Sequence, residues 1–371
     1  MTRIYLVRHA QAEGNLYRRA HGMYDSLITP QGYAQIRALK ERFADIPVDV
    51  VYSSPLFRAR TTAAAIYVSK NIPMYVLNDL HEVDCGPWED RTWGELRYHE
   101  SAELENFNFH LERWSVPGAE TIEQARDRML SALRTVVREW PDSTIAVVTH
   151  GMAARVLLGT LQGMSLAEIS EKFPHGDNTA VSLIECENDE FRVVFANDAS
   201  HLEREISTFA QQNWWKGKEE MGLRFVPVDV RAAAGAELYQ RCRAADWEDC
   251  GRPMEAYRGE ALLAAARRRQ EADSNAILAA YHDDDFAGLL ELDSEAYAAL
   301  GAGAAPMLYL CPAYRDSDAD VQMIGEAVSR FRAKGLKHLR CAAKSPVTHR
   351  VAERCGLQPY NEDWMELYIG Y

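Results

Sequence analysis

Short apolar runs alternate with stretches of helical period through the first two hundred residues. "IYLV" (4–7), "DVVYSS" (49–54) and "TIAVVTH" (144–150) are apolar without internal alternation, the pattern of strands buried on both faces. "PMYVL" (73–77) is a further short extended run. The segments between them carry helical spacing. "PQGYAQIRALKERFAD" has Thr29 in the N-cap position and Pro30 at the first helical residue. "PLFRARTTAAAIYVSK" and "MAARVLLGTLQG" read as helices, and a long region from about 92 to 140 is mostly helical. "TAVSLIECE" and "FRVVFAND" read as a hairpin with "NDE" at its tip. This order predicts an α/β fold: a three-layer αβα arrangement around a mostly parallel sheet.

The texture changes over 198–224, a polar stretch that holds Trp214 and Trp215. Packing of a terminal helix is the simpler reading of that pair; a docking anchor between domains is the other. A second αβ pattern then begins. "LRFVPVDV" (223–230) reads as a strand, followed by helices to about 271. "NAILAAYHDDDFAGLLELD" (275–293) reads as two strands joined by an acidic turn, and "PMLYLCPAY" (306–314) as another strand. "ADVQMIGEAVSRFRAKG" (319–335) is an amphipathic helix closed by a glycine. "HLRCAA", "SPVTHRVAERCG" and "WMELYIGY" follow as strand, helix and strand. We therefore expect one domain over 1–222 and a smaller, mixed αβ domain over 223–371, with no internal repeat between them.

Composition narrows the class. The chain has 371 residues, more than one ordinary core accommodates. A net charge of −14 argues against nucleic acid and anionic membranes as partners. In so acidic a chain, a local cluster of arginines carries more information. Seven cysteines at irregular spacing, without a C-x-x-C pair, read as free thiols in a reducing compartment. No signal-peptide core opens the chain, and no apolar stretch approaches the ~20 residues of a membrane span. The expected location is cytoplasmic.

Three strand-like runs end in the same kind of residue. "IYLV" leads to Arg8 and His9, "DVVYSS" leads to Arg58, and "TIAVVT" leads to His150. Open αβ sheets bind ligands beyond the carboxyl ends of their strands. If the three runs are neighbours, two arginines and two histidines converge there, and an anion is what makes such a cluster reasonable. Arginine's planar fork suits a pair of phosphoryl oxygens. One histidine can attack phosphorus and the other can donate to an equatorial oxygen. The proton for the leaving group must come from elsewhere. "LHEVDCGPWED" (80–90) carries Glu82, Asp84, Glu89 and Asp90, and Glu82 is nearest the end of its strand. A bound dianion would keep such a carboxyl protonated long enough to donate.

With "LVRHAQAEGN", "DSLITPQG", "SSPLFRARTTA", "LHEVDCGPWED", "VPGAET" and "VVTHG" in order, residues of about 3–200 resemble the histidine phosphatase (phosphoglycerate mutase-like) superfamily. The resemblance implies that His9 is the phosphorylated nucleophile, with Arg8, Arg58 and His150 in the phosphate pocket. It places Asn15 beside the phosphate and makes Glu82 the proton donor. Arg60 does not share a helical face with Arg58 and is left as solvated or paired. No metal or other cofactor is needed on this reading, because the cationic groups supply the charge a magnesium ion would supply. Two departures stand out. Ala10 replaces the usual glycine after the histidine, which is harmless if its φ is negative. Asp90 stands where glycine is common and adds negative charge near the pocket mouth. The short interval between Glu82 and His150 resembles the hydrolytic branch, with a phosphoglycerate mutase-type phosphotransferase as the alternative. The expected partner is a small phosphorylated substrate.

Residues 223–371 resemble the GNAT acetyltransferase fold through "ILAAYHDDDFAGLLEL", "LYLCPAYR", "KGLKHLRCAA" and "THRVAERCGL". Members that bind acetyl-CoA carry a glycine-rich turn after "PAYR", whose N–H groups grip the pyrophosphate. Here that place holds "DSDAD", with Asp316, Asp318 and Asp320. Three carboxylates repel a pyrophosphate and suit a helix cap instead. N-acetyltransferase activity is therefore the weaker alternative. Covering the pocket, homodimerisation or binding another ligand are the roles left open for this domain. The acidic run "HDDDF" reads as a hairpin turn.

Overall fold

The computed structural model describes residues 1–211, 222–315 and 317–371; Trp214, Trp215 and Asp316 lie outside the described residues. The chain divides into two compact units. The first takes Met1–Asn15, Arg19–Arg91 and His99–Glu220, and the second takes Leu16–Arg18, Thr92–Tyr98 and Met221–Tyr371.

The N-terminal elements are β1 (Thr2–Arg8), a single turn α1 (Glu13–Leu16), α2 (Pro30–Arg42), β2 (Val50–Ser53), α3 (Phe57–Lys70) and β3 (Met74–Val76). Then come α4 (Trp93–His99), α5 (Ser101–Phe109), α6 (Ile122–Glu139), β4 (Thr144–Thr149) and α7 (Gly151–Leu161). They end with α8 (Leu166–Lys172), β5 (Val181–Glu187), β6 (Glu190–Asp198) and α9 (Thr208–Gln211). The sheet order is β3-β2-β4-β1-β5-β6. The first four strands run parallel, and the β5–β6 hairpin adds antiparallel to β1. Every residue of β2 is buried, as are all but the first of β4, so both sheet faces are covered. On one face, Leu39 and Phe43 of the α2 end and Ala59, Ala63 and Ile66 of α3 meet Val7, Val51 and Val148.

Local chemistry starts the helices where the sequence signals them. The Thr29 hydroxyl accepts from the Gly32 N–H at 3.0 Å, with Pro30 first in the helix. Thr121 and Gln124 form a reciprocal capping box on α6, and Ser165 and Glu168 form another on α8.

The second unit contains β7 (Arg224–Pro227), α10 (Ala233–Asp249), α11 (Gly259–Ala272), β8 (Ile277–His282), β9 (Asp285–Tyr297) and β10 (Ala302–Leu310). They are followed by α12 (Ala319–Ala333), β11 (His338–Ala342), α13 (Pro346–Cys355), β12 (Gln358–Pro359) and β13 (Trp364–Tyr368). The sheet order is β12-β13-β11-β10-β9-β8-β7, a mixed sheet in which β10 and β11 are parallel and the remaining neighbours antiparallel. β10 begins earlier than "PMLYLCPAY" suggests and stops at Leu310. Pro312 lacks the N–H that a ladder needs, and Pro312–Tyr314 forms one tight helical turn. The acidic run is a hairpin turn at Asp283 and Asp284, with Asp283 left-handed at φ 51°.

The "DSDAD" segment departs from the simple cap expected of it. Asp318 is the N-cap residue of α12, yet its side chain makes no capping bond; it pairs with Arg354 at 2.8 Å. The Ser317 hydroxyl accepts from the Ala319 N–H at 3.3 Å. Asp320 is buried, 3.5 Å from Arg350, and burial pushes its carboxyl up. Among the described residues, no helix is long and apolar enough to cross a membrane. No group of three or more His, Cys, Asp or Glu among them is placed to hold a metal ion.

Candidate active site

The sheet order sets β2, β4 and β1 side by side, with Ser53 opposite Val148 and Thr149 opposite Arg8. The three strand ends that carry cationic residues are therefore neighbours. Parallel strands align their carboxyl ends, so the turns that follow share one edge of the sheet.

His9 follows β1 and is 2% exposed. Its main-chain N–H donates to the Thr149 carbonyl at 2.9 Å. Nδ1 lies 2.7 Å from the Ala10 carbonyl oxygen, which can only accept. Nδ1 therefore carries the proton, and Nε2 keeps its lone pair. Burial, then Arg58, Arg8 and His21, hold the His9 ring well below the usual histidine range. The imidazole is neutral and nucleophilic. Ala10 is fully buried, its N–H donates to Thr62 Oγ1 at 2.9 Å, and it is not among the residues with positive φ. The extra methyl group is accommodated.

Arg58 sits in the first turn of α3 and is fully buried. Its Nη1 donates to the Tyr24 carbonyl at 3.0 Å. Its Nη2 donates to the carbonyls of His21 and Gly22 at 2.8 and 2.7 Å. Asp25 lies 3.7 Å away and also accepts the Phe57 N–H that opens the helix. Arg8 donates from Nη1 to the Gly176 carbonyl at 2.6 Å, while its buried Nε has no hydrogen-bond partner. Burial pulls the Arg8 guanidinium down from its usual value, opposed by Asp177 and Glu82. A Cβ on Gly151 would stand 3.1 Å from Arg8 Nε, so glycine there leaves the guanidinium its place.

His150 is the N-cap residue of α7 and is fully buried. Its Nε2 is 2.7 Å from Ser54 Oγ, and its buried Nδ1 has no hydrogen-bond partner. Burial, then Arg58 and His9, hold it well below the usual histidine range. The His9 and His150 rings are 5.1 Å apart. Glu82 reaches the same helix end. Its carboxylate accepts from the N–H groups of Met152 at 3.0 Å and Ala153 at 2.8 Å. It uses the positive end of α7 as a seat.

Asn15 fastens the loop after His9: its Oδ1 accepts from the Ala12 N–H at 3.0 Å and its Nδ2 faces His21 Nε2 at 3.2 Å. The remaining acids of 80–90 are stitches. Asp84 accepts from the Gly86 N–H at 2.8 Å. Glu89 accepts from the N–H groups of Met23, Tyr24 and Cys85, while burial raises its carboxyl. Asp90, read from the sequence as added negative charge near the pocket mouth, has a cationic partner. It is left-handed, φ 61°, and its carboxylate meets Arg19 Nε at 2.7 Å. The backbone conformation explains why glycine suits the position. Arg60 is exposed. Trp88, Phe107 and Trp114 pack edge to face, whereas Phe109 is 61% exposed.

Sequence reasoning missed His21, Ser54, Thr62 and Asn178. His21 stands edge-on to His9 at 5.8 Å, and Asn178 Nδ2 donates to the His9 carbonyl at 2.9 Å. "DNTA" just before a strand was the one available signal for Asn178; a polar residue at such a turn is too common to single out.

Residues 4–199 match the histidine phosphatase superfamily (branch 1). The chain belongs to this superfamily. Histidine phosphatases are enzymes with phosphatase activity, and this chain is one of them. "Putative phosphoserine phosphatase 2" of Hydrogenobacter thermophilus is 31% identical over 202 residues, covering 54% of this chain and 98% of that protein. "Uncharacterized phosphatase PhoE" of Bacillus subtilis is 30% identical over 207 residues, covering 54% of this chain and 97% of its own. The solved structure of Bacillus stearothermophilus YhfR matches with a TM-score of 0.53 and 28% identity, over 55% of this chain and 100% of its own.

Proposed function

We propose that the chain is a metal-independent phosphomonoesterase that hydrolyses a small phosphorylated metabolite through a phosphohistidine on His9. The observation that carries this is one arrangement: the neutral His9 ring with a lone pair on Nε2, set among Arg8, Arg58 and His150. Arg8 Nε and His150 Nδ1, both buried, lack partners of their own and suit the oxygens of a phosphoryl group. In the first step Nε2 attacks phosphorus in line, the N–P bond forms, and the bond to the leaving oxygen breaks. The proton of the Glu82 carboxyl goes to that oxygen. In the second step Glu82 takes a proton from water. The resulting hydroxide attacks phosphorus, the N–P bond breaks, and neutral His9 returns. Arg8 and Arg58 offset the charge on the equatorial oxygens throughout, with a hydrogen bond from neutral His150 beside them, which is the work a metal ion does elsewhere.

The relative named for phosphoserine supports a small metabolite as substrate. We read the second unit as a GNAT-like domain without acetyltransferase activity. Asp318 and Asp320 at the start of α12 are tied to Arg354 and Arg350, which supports a structural rather than a pyrophosphate-binding end. A cytoplasmic location, no nucleic-acid or membrane partner, and homodimerisation are parts of the same proposal.

The test is phosphate release from p-nitrophenyl phosphate and a panel of sugar and amino-acid phosphates. The wild type should release phosphate, and His9→Ala should lose about 10³-fold or more. Equal rates would rule out His9 as nucleophile. Primer-dependent isomerisation of a phosphoglycerate, faster than hydrolysis, would move the reading to a mutase.

A further inference from the structure

Glu82 lies in neither a helix nor a strand; tight turns at Asn78–Leu80 and Gly86–Trp88 flank it. Its carboxylate nevertheless has a defined seat. Besides the N–H groups of Met152 and Ala153, it accepts from the N–H of its neighbour Val83 at 2.9 Å. A proton donor must stand within hydrogen-bond reach of the oxygen it serves, and a misplacement of ~1 Å can cost about 10²-fold in rate. Side chains outside any regular element must therefore hold the backbone that carries Glu82.

Arg128 of α6 donates from Nη1 to the carbonyls of Asp79 at 2.7 Å and His81 at 2.9 Å. Its Nη2 points to the Glu82 carbonyl at 3.5 Å, which also accepts from His81 Nδ1 at 2.6 Å. Thr149, the last residue of β4, donates from Oγ1 to the Leu80 carbonyl at 2.7 Å. Every carbonyl from 79 to 82 is thus held. The guanidinium is itself locked. Glu120 accepts from Nε at 2.8 Å and from Nη2 at 2.7 Å, a planar fork, and both side chains are largely buried. Glu120 also grips the far side of the loop: its N–H donates to the Asp84 carbonyl at 2.9 Å, and its Oε2 accepts from the Asp84 N–H at 3.4 Å. The capping box of Thr121 and Gln124 fixes the chain directly after it. All these residues belong to the first unit.

We propose that Arg128, clamped by Glu120, is the positioning residue of the proton donor: it fixes the backbone of Glu82 so that the carboxyl meets the leaving oxygen. This rests on the phosphatase reading. Arg128→Lys keeps a positive charge beside Glu120, but a single ammonium cannot make the fork and reach the carbonyls as well. In the full chain, this variant should lower kcat about tenfold or more for the best alkyl phosphate of the panel. The loss with p-nitrophenyl phosphate, whose leaving group needs little help, should be smaller by about threefold or more. Affinity for inorganic phosphate, measured by titration, should stay within about threefold, because Arg8 and Arg58 are untouched. Added to Glu82→Gln, Arg128→Lys should cost nothing further with the alkyl ester. Melting curves identify variants folded at the assay temperature; if Arg128→Lys is not, Glu120→Gln, which breaks the fork from the other side, is read in its place with the same expected pattern. A folded variant with wild-type kcat on the alkyl ester overturns the proposal. So do equal losses with both esters, a matching loss of phosphate affinity, or a full additional loss in the double variant, each of which marks general loosening of the fold. A wild type that hydrolyses p-nitrophenyl phosphate and no alkyl ester removes Glu82 as the acid, and Arg128's role with it, while the phosphatase reading stands. A wild type that hydrolyses neither removes both.

Discussion

His9 and His150 are fully or almost fully buried, neutral, and surrounded by positive charge. Such residues cost stability in acid. The unfolded chain protonates its histidines near the ordinary value of about 6.5, while the folded protein does not until well below it. Below that pH the unfolded state binds more protons, so stability falls as pH drops, by about 1.4 kcal/mol per pH unit for each such histidine. Melting of the ligand-free protein from pH 8 to pH 5 should show little change from this source above 7 and a fall below 6.5. The fall should be shallower in His9→Ala. A wild type whose melting temperature does not drop below pH 6.5 would mean that these rings take up protons in the folded state. Residue identity at these positions was legible from the sequence. Protonation was not, because it depends on the Ala10 carbonyl, the Ser54 hydroxyl and the depth of burial.

At the scale of elements, α7 does two jobs. It starts directly after its N-cap residue His150, and its first free N–H groups seat Glu82. Glu82→Gln keeps a carbonyl oxygen for one of those donors but cannot deliver a proton to a leaving group. Loss of general acid catalysis should therefore depend on the ester. An alkyl phosphate should lose about 10²-fold or more in kcat, and p-nitrophenyl phosphate, whose phenolate leaves without help, far less. Equal losses with both esters would count against Glu82 as the acid. Element type followed from local pattern in most places: the β4 run, the α2 cap and the β5–β6 hairpin needed only nearest neighbours in sequence. The errors lie where a pattern is short or interrupted. α8 is too brief for its helical period to stand out, despite its Ser165–Glu168 capping box. The C-terminal end of β10 is set by Pro312, and its start by pairing with β9 and β11.

At the scale of the molecule, all seven cysteines are free thiols, five of them buried. Burial raises the Cys250 thiol to about 11 and the Cys341 thiol further. A thiol reagent such as DTNB should reach at most Cys250 and Cys311 in the native protein, slowly, and all seven in denaturant. Fast native reaction of more than two would show the core to be open. The order of the motifs already determined the first fold and named the cationic residues that follow its strands: periodicity is local, and the residues after three strand-like runs could be named without coordinates. Only the tertiary structure decided that β2, β4 and β1 adjoin, that Asp90 answers Arg19, and that Asp318 pairs with Arg354 rather than capping α12. It alone placed Leu16–Arg18 and Thr92–Tyr98 in the second unit. The reason is physical. A helix or strand declares itself through neighbours a few residues away, whereas the fit of Tyr17 on Gly325 joins residues far apart in the chain, and no repeating pattern records it.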